Sequence, residues 1–169
     1  NAYYDAGKNE IVFPAGILQP PYFDPYADAA VNYGAIGAVI GHEISHGFDD
    51  QGRKFDATGK LQDWWTKKDA DAYTAEADKL IAQFNAYEPL PGLKINGKLT
   101  LGENIADLAG LASAYRSYKL SLNGKPAPVP AFEPASDEER ELQDYARRIS
   151  AERKSVEAGT RGYLREYDS

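Results

Sequence analysis

The two histidines of this 169-residue chain stand four residues apart, in Gly41-His42-Glu43-Ile44-Ser45-His46-Gly47. On an α-helix, residues four apart share one face, so His42 and His46 can both reach one cation with metal–nitrogen bonds of about 2.0–2.1 Å. Glu43 then sits at the edge of that face. There it is placed to take a proton from a water held by the metal rather than to bind the metal itself. Three readings compete: a zinc site that hydrolyses, a zinc site that does not, and two histidines paired by accident on a buried helix. Random placement of two histidines in a chain of this length gives the pattern with odds on the order of one in a thousand, which makes accident the weakest of the three.

Catalytic zinc takes three protein ligands and keeps one position open. The chain has no Cys and no third His, so the remaining ligand is sought among carboxylates on another element. Glu103 is the choice, because Glu103-Asn104-Ile105-Ala106-Asp107 offers a second acid one helical turn later. Asp107 can accept a hydrogen bond from the ring nitrogen of His42 that does not face the metal, fixing tautomer and orientation. Without the histidine pair, the same acids would read as an N-terminal turn favoured by the helix dipole.

These residues need helices to position them. From about Asp28 to Phe48 the pattern is helical and apolar nearly all round, with Val31, Ala35, Ile36, Val39, Ile40 and Ile44, which predicts a helix buried on most sides. Burying two histidines there unpartnered is costly, and ligation removes the cost. Gly34, Gly37, Gly41 and Gly47 weaken helix formation and point to close approach of other backbone or of substrate. Thr66-Lys67-Lys68-Asp69 resembles a capping box and opens an amphipathic helix to about Tyr87, with Tyr73, Ala77, Leu80, Ile81 and Phe84 inward. A further helix runs from near Leu101 to Leu122, closed by Asn123-Gly124. On it Ile105, Leu108, Leu111, Ala112, Tyr115 and Leu122 recur at core spacing. Glu103, Asp107, Gly110 and Ala114 form a second stripe, suited to tight packing against the histidine-bearing helix.

Around the helices, Asn1–Tyr4 and Glu10–Pro14 read as a short extended pair about the turn Asp5–Asn9. Asp49 to Asp63 reads as a loop or loose hairpin. Lys125 to Pro134, with four prolines, is an irregular connection. Ser136-Asp137-Glu138-Glu139 then caps a charged helix with Leu142, Tyr145, Ile149 and Val156 on one seam, interrupted near Gly159. The fold class is therefore mostly α with a small β element. The division expected is a catalytic core over 1–134 and a charged amphipathic helical tail over 135–169.

Composition narrows the chemistry further. A net charge of −7 disfavours a phosphate-binding surface, so nucleic acid is excluded as a partner. No apolar run approaches the roughly 18–20 residues that span a bilayer, and no secretory leader opens the chain. The absence of Cys is compatible with either redox compartment, and the absence of Met suggests that the first residue is not a translation start, so upstream signals need not be present.

Several separate motifs resemble one family in its own order: Asn1-Ala2-Tyr3-Tyr4, the run Ile11 to Phe23, Gly41 to Asp50, Asp63-Trp64-Trp65-Thr66, and Gly102 to Asp107. Together they are similar to the catalytic half of the neprilysin family of zinc metallopeptidases, the M13 gluzincins, over residues 1 to about 130. The lack of cysteines is closest to its bacterial oligopeptidase members. The resemblance implies a zincin core in which His42, His46 and Glu103 bind one Zn²⁺, Glu43 acts as general base, and Asp107 orients a ligand from behind. It further implies that Asn1 and Ala2 hold an extended peptide by its main chain. Ile17, Tyr22, Ala38 and Val39 fall at the pocket for the residue after the scissile bond, which implies cleavage on the amino side of large apolar residues of oligopeptides.

The chain also departs from the family. Members end in an Asp-x-His-Ser-Pro segment and a downstream arginine that stabilise the oxyanion, and neither is matched in the last 35 or so residues. Losing one oxyanion donor costs on the order of 100- to 1000-fold in turnover. The helical lobe that precedes the catalytic half is missing too. An excised or re-engineered core, or one piece of a split enzyme completed by a second chain or lobe, accounts for these departures. A zinc-stabilised peptide-binding module with little turnover is the alternative function, and a helical interaction domain without metal is a third.

Overall fold

Turn residues and caps divide the chain into short elements. The computed structural model describes residues 1–128, of which Asn1–Ala127 form one compact unit. Strands β1 (Tyr3–Asp5) and β2 (Glu10–Val12) pair antiparallel, with Tyr3 opposite Val12 and Tyr4 opposite Ile11. Asn9 closes the turn at φ 51°, a left-handed conformation that Asn tolerates better than most residues. The second edge of β1 carries no strand among the described residues.

The single helix expected from Asp28 to Phe48 is interrupted. Helices α1 (Ala29–Gly34) and α2 (Ile36–Ser45) meet at Ala35, and the chain tightens into a 3₁₀ turn at His46–Phe48. The break has a tertiary cause: Ile36 N–H donates to the carbonyl of Tyr22 at 2.9 Å, a partner outside the helix. Helix α3 (Lys67–Asn85) starts where the cap chemistry requires, with the Thr66 hydroxyl accepting from Asp69 N–H at 3.2 Å. Its inner face carries Ala77, buried, with Tyr73, Leu80, Ile81 and Phe84 partly covered. Helix α4 (Leu101–Ser121) gives way to Asn123 and Gly124, both at positive φ.

Helices α2 and α4 form the main packing pair; α4 meets α2 through the expected stripe of small residues, whereas much of the row expected at core spacing faces outward. Leu108, Leu111 and Tyr115 are 61%, 58% and 64% exposed, whereas Ala106, Gly110 and Ala114 are buried. The cause is distance. A Cβ added at Gly41 would lie 2.8 Å from Gly110 Cα, and one added at Gly110 would lie 2.5 Å from His42 N, so the two backbones touch and only small residues fit between them. Helix α2 is likewise less enclosed than its composition predicts, with Val31 on α1 and Ile40 and Ile44 on α2 all exposed. A small apolar core sits beside this pair, where Ala2, Ile17 and Ile36 are buried and Phe13, Phe23 and Val39 pack on them. The irregular connection from Lys125 begins as expected, while its end and the predicted helical tail, including Leu142, Tyr145, Ile149 and Val156, lie outside the described residues.

Candidate metal centre

Two rigid elements deliver the donors. Helix α2 carries His42 and the 3₁₀ turn after it begins at His46, while Glu103 stands in the first turn of α4. His42 Nε2 lies 3.0 Å from His46 Nε2 and 3.3 Å from Glu103 Oε2, and His46 Nε2 lies 3.8 Å from the same oxygen. A tetrahedron with zinc–ligand bonds near 2.0–2.1 Å has edges of about 3.3 Å, and the three observed separations straddle that length. Among the described residues, His42, His46 and Glu103 are the group gathered closely enough to hold a metal ion.

Hydrogen bonding decides which nitrogens face inward. His42 Nδ1 donates to Asp107 Oδ1 at 2.8 Å, and His46 Nδ1 donates to Asp49 Oδ2 at 2.8 Å. A carboxylate offers acceptors only, so both ring protons sit on Nδ1 and each neutral imidazole turns an Nε2 lone pair toward the other. Two lone pairs and a carboxylate oxygen this close repel one another unless a cation lies between them. The donor set therefore fits zinc.

Asp49 is the residue that sequence pattern did not single out. Its side chain is buried, and its second oxygen accepts from Gln51 N–H at 2.8 Å and Gly52 N–H at 2.7 Å, which locks the acid onto the turn that follows. The available signal was an acid three residues beyond His46 with turn chemistry directly after it. Asp107, in contrast, is largely exposed. An ion–dipole contact away from water is screened less, so the two acids should not weigh equally. We expect Asp49→Ala to weaken zinc binding toward the upper end of the roughly 10- to 100-fold range for such partners, and Asp107→Ala toward the lower end. Competition with a chromophoric chelator reads both, and equal losses would remove the argument from burial.

Glu43 is only 5% exposed and lines, with His42, His46 and Glu103, a cleft of about 430 Å³. Asn1, Ala2, Tyr3 and Tyr4 form one wall of that cleft. Of the four residues expected at a specificity pocket, Ile17 is buried in the small core, Val39 packs on it, Ala38 has its carbonyl near Gly110, and Tyr22 is half-exposed. None of them lines the cleft that holds the histidines.

Comparison with known proteins bears on what this centre is. The model of peptidase family M13 matches residues 1–164, nearly the whole chain. The chain belongs to peptidase family M13. That match runs past residue 130, beyond the last of the motifs named above. Neprilysin-1 of Caenorhabditis elegans is 48% identical over 151 residues, covering 86% of this chain and 20% of that protein. Human neprilysin is 47% identical over 137 residues, covering 79% of this chain and 18% of the relative. The structure of the Mycobacterium tuberculosis zinc metalloprotease Zmp1 in complex with an inhibitor superposes with a TM-score of 0.76 at 59% identity, covering 78% of this chain and 21% of that one. The chain thus spans about a fifth of the length of the M13 relatives it matches. M13 membership and the donor geometry agree on the zincin arrangement: one helix with His-Glu-x-x-His and a second with Glu. Among the described residues no helix is long and apolar enough to cross a membrane.

Proposed function

We propose that this chain carries the zinc centre of an M13 endopeptidase and takes part in the hydrolysis of oligopeptides on the amino side of large hydrophobic residues. The observation that carries the reading is the triad of donor atoms at tetrahedral spacing with both Nδ1 protons already committed to carboxylates. His42, His46 and Glu103 would hold one zinc, with Asp107 and Asp49 orienting the two rings. Bound there, zinc would supply the positive charge that acidifies a water and polarises a carbonyl.

The chain's own residues do the rest. Glu43 accepts the proton of the water as its oxygen attacks the scissile carbonyl carbon, then gives that proton to the departing nitrogen as the C–N bond breaks. Asn1 and Ala2 line the cleft and lead into β1, one edge of which carries no strand among the described residues, which suits an extended peptide held by main-chain hydrogen bonds. Ile17, Tyr22, Ala38 and Val39 are assigned to the side chain after the scissile bond, a role that rests on their positions in the family motif.

A second reading, a zinc-stabilised module that binds peptides with little turnover, is favoured by one observation. Both histidines of the chain are committed to the metal, so no imidazole remains to stabilise an oxyanion. Zinc content per chain and cleavage of a fluorogenic oligopeptide, before and after chelation, separate the readings. We expect one zinc per chain and cleavage that the chelator abolishes. Stoichiometric zinc with peptide bound but uncut would select the second reading, and absence of zinc would defeat both.

A further inference from the structure

The turn that follows the metal site is joined to α3 by an arrangement the proposed chemistry does not use. Gly52–Lys54 form a 3₁₀ turn pressed against the metal site: a Cβ at Gly52 would collide with the carbonyl of His46. The same turn supplies the Gln51 and Gly52 N–H groups that fix Asp49, and Arg53 N–H donates to the Asp49 carbonyl at 3.2 Å. His46, Asp49 and this turn therefore move as one piece. From this piece the side chain of Arg53 reaches Trp65 and, on α3, Tyr73. Its guanidinium carbon lies 5.5 Å from the centre of the Trp65 ring and 5.0 Å from that of Tyr73, while the two rings meet edge to face at 5.5 Å.

Among the described residues, hydrogen bonds of these side chains are not the fastening. Arg53 Nε, Trp65 Nε1 and Tyr73 OH are all buried without a partner among the described residues. What remains is the contact of the guanidinium with two aromatic rings, a cation–π interaction that needs the cation. The cluster also faces the acids of the site. Burial, then Asp50 and Asp49, push the Tyr73 phenol up to about 12 against the opposing effect of Arg53, so the phenol stays neutral wherever zinc can bind.

We propose that Arg53, packed against both Trp65 and Tyr73, is a positioning residue for the metal: it holds the 51–53 turn, through it Asp49, and through Asp49 the ring of His46. The inference rests on His46 being a zinc ligand. Its test is zinc affinity of the full chain, by chelator competition, for Arg53→Ala, Asp49→Ala, Asp107→Ala and the two double variants containing Arg53→Ala. Arg53→Ala is expected to weaken zinc about 10-fold, the lower end for groups behind a ligand. Combined with Asp49→Ala it should add nothing, because both act through one path, whereas combined with Asp107→Ala the losses should multiply.

Unchanged affinity in Arg53→Ala would overturn the proposal, as would losses that multiply with Asp49→Ala. Should Arg53→Ala not fold, Arg53→Gln keeps a polar side chain and loses the cation, and parental zinc affinity in that variant overturns the proposal equally. A parent chain that binds no zinc would instead defeat the ligand assignment itself, which keeps the two failures distinguishable.

Discussion

Replacing Glu43 with Gln is expected to leave zinc on the chain and to slow peptide hydrolysis by about 100- to 10,000-fold. The substitution keeps size and hydrogen-bonding reach while removing the one group in the cleft placed to cycle a proton between water and leaving amine. Burial sharpens the expectation. Glu43 is 5% exposed, so bulk solvent has little access to replace it as base. The ligands His42, His46 and Glu103 are untouched, so zinc content should equal that of the parent. Turnover of a fluorogenic oligopeptide, with zinc measured in the same sample, decides the matter: hydrolysis at the parental rate would show that the base is misassigned.

The second large effect is expected at a residue that carries no titratable side chain of its own. In Gly110→Ala the new methyl would lie 2.5 Å from His42 N, 2.7 Å from Ala38 O and 2.9 Å from His42 Cα, all backbone atoms that cannot rotate away. Alanine favours the helix over glycine by about 1 kcal/mol. Overpacking costs about 1–3 kcal/mol or more, and against two rigid backbones the upper end applies, so the net loss should be near 2 kcal/mol. Relief requires α4 to retreat by about 1 Å, which carries Glu103 away from His42, and misplacement on that scale can cost about 100-fold in function. Both the denaturation midpoint and the zinc affinity should fall. Gly34→Ala, where an added Cβ meets nothing within 4 Å, serves as control and should be neutral or slightly stabilising. Parental stability and zinc affinity in Gly110→Ala would mean that the backbone contact does not set the ligand geometry.

Much of the site was legible because ligand spacing is a local property. His42 and His46 one helical turn apart, and Glu103 with Asp107 one turn apart, need only the helical period to be read. The Thr66 cap and the Asn123-Gly124 stop were legible for the same reason. What failed depends on partners distant in sequence. The interruption at Ala35 follows from a hydrogen bond between Ile36 and Tyr22, which no window of residues 28–48 contains. The stripe with Gly110 and Ala114 packs on α2 as its small side chains suggested, but the apolar row Leu108, Leu111 and Tyr115, which matched a core pattern, is exposed. Asp49 escaped notice for a third reason: it lies beyond the helix, in a turn whose geometry the helical period does not describe.

The hydrogen bond between His42 and Asp107 joins residues 65 apart in sequence, and Glu103 is nearly as distant. An unfolded chain therefore offers zinc at best the nearby histidine pair, and the complete site exists only in the native state. Metal binding and folding then become one equilibrium, in which each tenfold rise in free zinc above its dissociation constant adds about 1.4 kcal/mol to stability. The supply of zinc thus sets how many mildly damaging substitutions the scaffold can carry. Lineages in metal-rich surroundings can accumulate changes that would unfold the same chain where zinc is scarce.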